Sequence, residues 1–213
     1  MDDNLRWQSR QRMEKSASAL EKNGFSTALF DSCDEAVKFL IESADGAESI
    51  GFGGSMTLAQ LDLPGRLAAM GKNTLVHGRP GLAAEQRRGI MQQQLNCDLF
   101  LTSTNALTLK GQLVNIDATG NRVGAMFFGP KRVIVVAGAN KITEDLDDAL
   151  ARIKNVAAPP NARRLGFATP CARTGFCSDC DSPQRICRIT TILDRRPRAT
   201  EMLVCLINES LGY

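Results

Sequence analysis

Arg132-Val133-Ile134-Val135-Val136-Ala137 is the stretch that decides the fold. A strand with one wet face alternates apolar and polar residues, so a near-continuous apolar run predicts a central strand covered on both faces. Working outward toward the N-terminus, helical and extended patterns alternate. Met13, Ala17 and Leu20 recur at helical spacing up to Asn23-Gly24, and Phe25 to Phe30 reads as a strand. Ser32 with Glu35 has the form of a capping box ahead of Val37, Leu40 and Ile41, and Ser49 to Phe52 is extended again. Thr57 is expected to cap a helix through Leu58 and Leu61, with Pro64 forcing a break or a new first turn. Thr74 to His77 follows as a strand, then Leu82 to Leu95 as a helix and Leu99 to Ser103 as a strand. Leu113 to Asp117 and Val123 to Phe128 read as a hairpin across the turn Ala118 to Arg122. Thr143 is expected to cap a helix with Leu146, Leu150 and Ile153 inward. Pro159-Pro160 should end that helix, and Met202 to Ile207 is the last strand. The order predicts an α/β fold, an open, mixed, mostly parallel sheet with flanking helices.

The chain has 213 residues, 43% of them apolar, with a net charge of +3. That fits one α/β domain over residues 1–213 with a real core, interrupted by a cysteine-rich insertion at about 166–190. Basic residues bunch at Arg6, Arg10, Arg12 and Lys15 and again at Arg188, Arg195, Arg196 and Arg198. Without interleaved aromatics or a recognition-helix pattern they read as solvated faces or protein contacts, and no nucleic-acid partner is expected. No segment approaches the ~20 apolar residues of a membrane span, so no span and a cytoplasmic location are expected.

Seven cysteines are too few for a disulfide scaffold of this length. Cys33, Cys97 and Cys205 are scattered, and the latter two border apolar runs as small buried thiols do. Cys171, Cys177, Cys180 and Cys187 are grouped, in the spacing C-x5-C-x2-C-x6-C. Four convergent soft donors point to an iron-sulfur cluster or, alternatively, zinc. Redox-active or merely structural thiols are the third reading.

Two further segments have the form of ligand chemistry. Gly51-Phe52-Gly53-Gly54-Ser55-Met56-Thr57 joins a strand to a helix, where glycines let backbone N–H groups approach an anion. Gly53, Gly54, Ser55 and Thr57 are its candidate binding residues, against a plain tight turn. In Leu113-Val114-Asn115-Ile116-Asp117 a period of two puts Asn115 and Asp117 on one face. These are the candidate catalytic residues, Asp117 as acid or base, against a role for Asp117 in stabilising the turn that follows. His77, the single histidine, reads as a hydrogen-bonded structural group or a pocket residue.

Gly53-Gly54-Ser55-Met56-Thr57, Thr102-Ser103-Thr104-Asn105-Ala106, Gly111-Gln112-Leu113-Val114-Asn115, Gly120-Asn121-Arg122-Val123, Gly129-Pro130 and Gly138-Ala139-Asn140-Lys141-Ile142 occur in that order, ahead of Ala157 to Ala162 and Thr169-Pro170-Cys171. In these segments, from about Trp7 to Leu206, the chain resembles the LUD-domain family, lactate-utilization proteins of the LutC and YkgG type. The resemblance implies a NagB/RpiA/CoA-transferase-like fold that binds substrates at strand ends near the Gly53 to Thr57 turn, with Asn105 as a further ligand-binding candidate. It also implies a place in oxidation of L-lactate to pyruvate, as an accessory or iron-sulfur electron-transfer subunit of a multi-protein complex, the cluster being of 4Fe-4S type in one version. The alternative is a stand-alone enzyme or binding module for a small phosphorylated or carboxylated metabolite, with homo-oligomers compatible with either.

Overall fold

The computed structural model describes residues 2–213. Its elements run α1 (Asp3–Lys22), β1 (Ser26–Phe30), α2 (Cys33–Glu42), β2 (Ser49–Phe52), α3 (Met56–Gln60), α4 (Leu63–Ala69), β3 (Asn73–Leu75), α5 (Ala84–Gln94) and β4 (Leu99–Thr102). They continue with β5 (Ala106–Thr108), β6 (Leu113–Asp117), α6 (Asn121–Phe127), β7 (Arg132–Gly138), β8 (Ile142–Thr143), α7 (Leu146–Arg152), α8 (Ala158–Arg164), α9 (Pro170–Thr174), β9 (Ile189–Leu193) and β10 (Glu201–Ile207). Six strands form a wholly parallel sheet in the order β1-β10-β7-β4-β2-β3. A second sheet, β8-β5-β6-β9, is mixed: β5 runs parallel to β8, while β6 is antiparallel to both β5 and β9.

β7 lies between β10 and β4 and is covered on both faces, as its apolar run predicts. Val133, Val135 and Ala137 pack in one layer with Met13, Ala17 and Leu20 of α1 and Val123 and Met126 of α6. Ile134 and Val136 pack in the other, with Val37 and Leu40 of α2 and Leu63 and Leu67 of α4. The second sheet shares the first layer through Leu107, Leu113 and Leu193. Its opposite face sends Ala106 and Val114 against Ala149 and Ile153. The result is the mixed, mostly parallel α/β architecture with flanking helices expected from the sequence, divided between two sheets. No described helix is long and apolar enough to cross a membrane. In the N-terminal basic cluster, Arg10 pairs with Glu14 and Asp31, and Arg12 with Glu144, on the surface.

Four local expectations are corrected. Val123 to Phe128 is no strand but most of α6. The Asp117 carboxylate accepts from the N–H groups of Thr119 and Gly120, and Gly120, at φ +90°, turns the chain into a helix that buries Val123 and Met126 on one face. Ser55, rather than Thr57, caps α3, its hydroxyl accepting from Leu58 N–H. Asp145, rather than Thr143, caps α7, because Thr143 is held in β8 with its hydroxyl donating to Leu107 C=O. The Pro159-Pro160 pair does not end the last helix. A π-helical turn, Ile153–Ala157, widens the coil, and the prolines fall in the first turn of α8, where their missing N–H groups are not needed.

Candidate functional site

In an open parallel sheet the natural crevice lies outside the carboxyl ends of the strands, at the point where successive connections depart in opposite directions. Here the chain leaving β2 moves outward to β3, while the chain leaving β4 moves inward to β7. The crevice therefore opens between the ends of β2 and β4. There a cavity of about 360 Å³ is lined by Gly54 and Ser55 after β2, Ser103, Thr104 and Asn105 after β4, and Lys141 after β7. α8 and the end of the cysteine segment close another side through Asn161, Arg164 and Cys187.

Lys141 sits at the end of a 3-10 turn, Ala139–Lys141, that follows β7, and is only 4% exposed. Its Nζ lies 2.9 Å from Thr57 Oγ1, 2.9 Å from Ser103 Oγ and 3.1 Å from Thr104 C=O. These partners are neutral. Burial, followed by the neighbouring charges of Arg152 and Arg122, pulls the ammonium down to about 7. A buried ammonium without an opposing charge is costly to maintain, so the cavity is biased toward an anion or toward a neutral amine.

Arg122 anchors the floor. Its Nε donates to Asp117 Oδ2 (3.2 Å), Nη1 to Ser103 C=O (3.1 Å) and Asn115 Oδ1 (2.6 Å), and Nη2 to Asn105 Oδ1 (3.0 Å) and Ile116 C=O (3.1 Å). Burial opposes its charge and the Asp117 carboxylate supports it. Asp117 and Asn115, the expected catalytic pair, are thus the partners that hold Arg122. Asp117 Oδ1 takes the two turn N–H groups and Oδ2 takes the guanidinium, which leaves it the posture of a structural anion rather than of a free base. Asn105 lines the cavity. Its Oδ1 is spent on Arg122 and Ile116 N–H, so its NH2 group is free for a ligand.

The glycine turn divides its roles. Gly53 N–H stays in the sheet, donating to Leu101 C=O. A Cβ on Gly53 would come within 2.6 Å of Thr102 Oγ1 and 3.1 Å of Arg122 Cγ, so glycine is there to let the Thr102 side chain and, beside it, the Arg122 stem pack against the strand end. Gly53→Ala is expected to press on Thr102 and Arg122 and destabilise the fold by about 1–3 kcal/mol, read as a lowered denaturant midpoint. A midpoint equal to wild type would show that the close approach carries no energy. Gly54 and Ser55 face the cavity, whereas Thr57 is buried behind it and acts through Lys141. His77 Nδ1 lies 3.1 Å from the Gln94 amide nitrogen, which also donates to Phe52 C=O and Leu75 C=O, and the Nε2 edge of the ring faces Gly54. Burial holds this imidazole below its ordinary pKa and so neutral.

The cysteine expectation is corrected. Cys171, Cys177, Cys180 and Cys187 do line one recess, but it measures about 20 Å³, room for about one water molecule. Among the described residues no three His, Cys, Asp or Glu side chains come together as a group able to hold a metal ion. That finding overturns both the iron-sulfur cluster and the zinc alternative. Burial raises the Cys187 thiol above its ordinary value. Asp179 is tied to Arg185 at 2.7 Å. Cys97 and Cys205 are buried thiols pushed up to about 11 and about 12 by desolvation.

Lys141 and Arg122 were not candidates from the sequence. The available signal was a lysine between Asn140 and Ile142 shortly after the central strand, and an arginine beside Val123 in a short apolar segment.

Fold and cavity together define an α/β protein whose crevice, at the carboxyl ends of parallel strands, is organised around buried cations. The sequence pattern of the LUD domain matches residues 13–207, and the chain belongs to the LUD-domain (DUF162) family, of the LutC and YkgG type linked to lactate-utilization systems. Comparison with curated proteins gives no significant match. Among solved structures, a DUF162 family protein from Deinococcus radiodurans is similar, with a TM-score of 0.55 at 13% identity over 93% of this chain and 98% of that one. At that identity the likeness shows the fold.

Proposed function

We propose that this cavity binds a small 2-hydroxy or 2-oxo acid, and that the chain is the acid-binding component of a lactate-utilization system. The observation that carries the reading is Lys141, a buried ammonium with neutral partners and two cationic neighbours, lining a cavity sized for a small metabolite. The lining supports it, with Arg87, Arg122, Lys141 and Arg164 against the single side-chain carboxylate of Asp117, itself neutralised by Arg122. Ser55 and Asn105 supply neutral donors for the remaining oxygens. We also read the fold as NagB/RpiA/CoA-transferase-like, a reading supported by a binding crevice at the strand ends beside the Gly53 to Thr57 turn. In this reading, oxidation of the bound acid takes place with a partner protein, and the family link supports that.

Calorimetric titration with L-lactate, pyruvate and inorganic phosphate tests the site. Hydrogen bonds to charged groups contribute about 1.5–3 kcal/mol, so Lys141→Met is expected to weaken the preferred acid by about tenfold or more. Affinity for all three anions equal in wild type and Lys141→Met would overturn the assignment.

A further inference from the structure

Anion binding uses only the charge of Lys141, yet the geometry around its amine provides more than a charge. We infer that Lys141 is a carbonyl-trapping nucleophile that holds a 2-oxo acid as a reversible imine, an inference that rests on the acid-binding reading above. The stem of the side chain is buried and the amine is fixed from three sides. Thr57 and Ser103 present hydroxyls at 2.9 Å, groups that can both accept and return a proton, and the cavity lies beyond. The guanidiniums of Arg152 and Arg122 act on its charge. Arg122 is committed to Asp117, Asn115 and Asn105, and Arg152 to the carbonyls of Asn140 and Asn105. Neither is free to move away, and both disfavour a second cation beside them. Desolvation next to other cations is the arrangement that activates lysine for carbonyl chemistry, and the fall of Lys141 to about 7 agrees with it.

The step balances without an oxidant or reductant. The neutral Nζ attacks the carbonyl carbon and a C–N bond forms. A proton passes from nitrogen to the carbonyl oxygen, with the Ser103 hydroxyl placed to relay it, and a carbinolamine results. The C–O bond then breaks as the departing hydroxyl takes up a second proton, drawn from solvent through the cavity, and water leaves, giving an iminium whose positive charge faces the carboxylate of the same acid, one carbon away. The cavity thereby acquires the counter-ion that free Lys141 lacks. Lactate, with a hydroxyl in place of the carbonyl, binds only non-covalently.

The full-length protein is incubated with pyruvate and borohydride, which reduces an imine to a stable secondary amine, and the digested protein is read by mass spectrometry. The expected result is one adduct, the mass of pyruvic acid less one oxygen, concentrated on the peptide that carries Lys141. No adduct should form with lactate or in Lys141→Met. Lys141→Arg keeps a cation but no nucleophilic amine, and should bind lactate without trapping pyruvate. If both acids bind by calorimetry while adducts are absent or scattered equally over the surface lysines of wild type and variant, the imine is overturned and the acid-binding reading stands. If neither acid binds and no adduct forms, both fall.

Discussion

Arg122→Met is expected to lower the stability of the fold by about 3–5 kcal/mol, the range found when one partner of a buried ion pair is removed. The size follows from what is stranded. Asp117 Oδ2 loses its only side-chain donor, and Asn115 Oδ1, Asn105 Oδ1 and the carbonyls of Ser103 and Ile116 lose the same guanidinium. These groups belong to β6 and the loop after β4, so a single side chain ties the second sheet to the crevice end of the first. Urea denaturation measures the loss, and the double variant with Asp117→Asn isolates the charge. Replacing the carboxylate with an amide keeps an oxygen for the N–H groups of Thr119 and Gly120 while removing the orphaned charge, so the double variant should recover part of the loss. A change in Arg122→Met within about 0.5 kcal/mol, the range of ordinary surface substitutions, would show that the network contributes nothing net.

The sheet was legible where side-chain pattern alone decides burial. Val133-Ile134-Val135-Val136 offers no polar face, so a strand there must be covered on both sides, and the structure divides these residues alternately between two layers. Val123 to Phe128 was misread because Val, Phe and Met suit either period over so short a span. The decision was made outside the segment, by the Asp117 carboxylate on the turn and by the left-handed backbone of Gly120. Ile189–Leu193 carries no alternating strand signal of its own. β9 exists through its pairing with β6, a strand more than 70 residues earlier in the chain, and its own residues are mostly exposed.

The site was legible in its loops and illegible in its charges. Gly54, Ser55, Asn105 and Asp117 all reach the one cavity, each signalled by a strand end with turn or amide chemistry. Lys141 gave no such signal, because its burial depends on Thr57, Ser103 and Thr104, which lie 84, 38 and 37 residues away in the chain. The cysteines failed in the opposite sense. Their spacing brings four thiols to one recess, but spacing along a loop does not set the distances between sulfurs, and the ligand group does not form.

The two protonation states of Lys141 predict opposite pH responses for stability and for affinity. The folded state holds Lys141 at about 7, against an ordinary value of 10.5. Between these values the unfolded chain retains a proton that the folded chain has released, so the stability of the ligand-free protein rises with pH across this window and is flat below it. Lys141→Met, which places an apolar stem where the buried charge lay, should be at least as stable as wild type at pH 6 and should lose that margin as the pH rises. Groups common to both proteins cancel in the comparison. Lactate binding should run the other way. It requires the ammonium, so affinity is constant below about 7 and falls above it by about tenfold per pH unit, about a hundredfold over two units, until the pKa of the complex is reached. Borohydride trapping of pyruvate requires the free amine and should increase over the interval in which lactate affinity declines. Calorimetry and denaturant midpoints from pH 6 to 9 measure all but the trapping. A lactate affinity that is level from pH 6 to 9, together with a Lys141→Met margin that does not change, would mean that Lys141 does not change its charge in this range. The buried amine would then serve only to brace Thr57, Ser103 and Thr104 against one another.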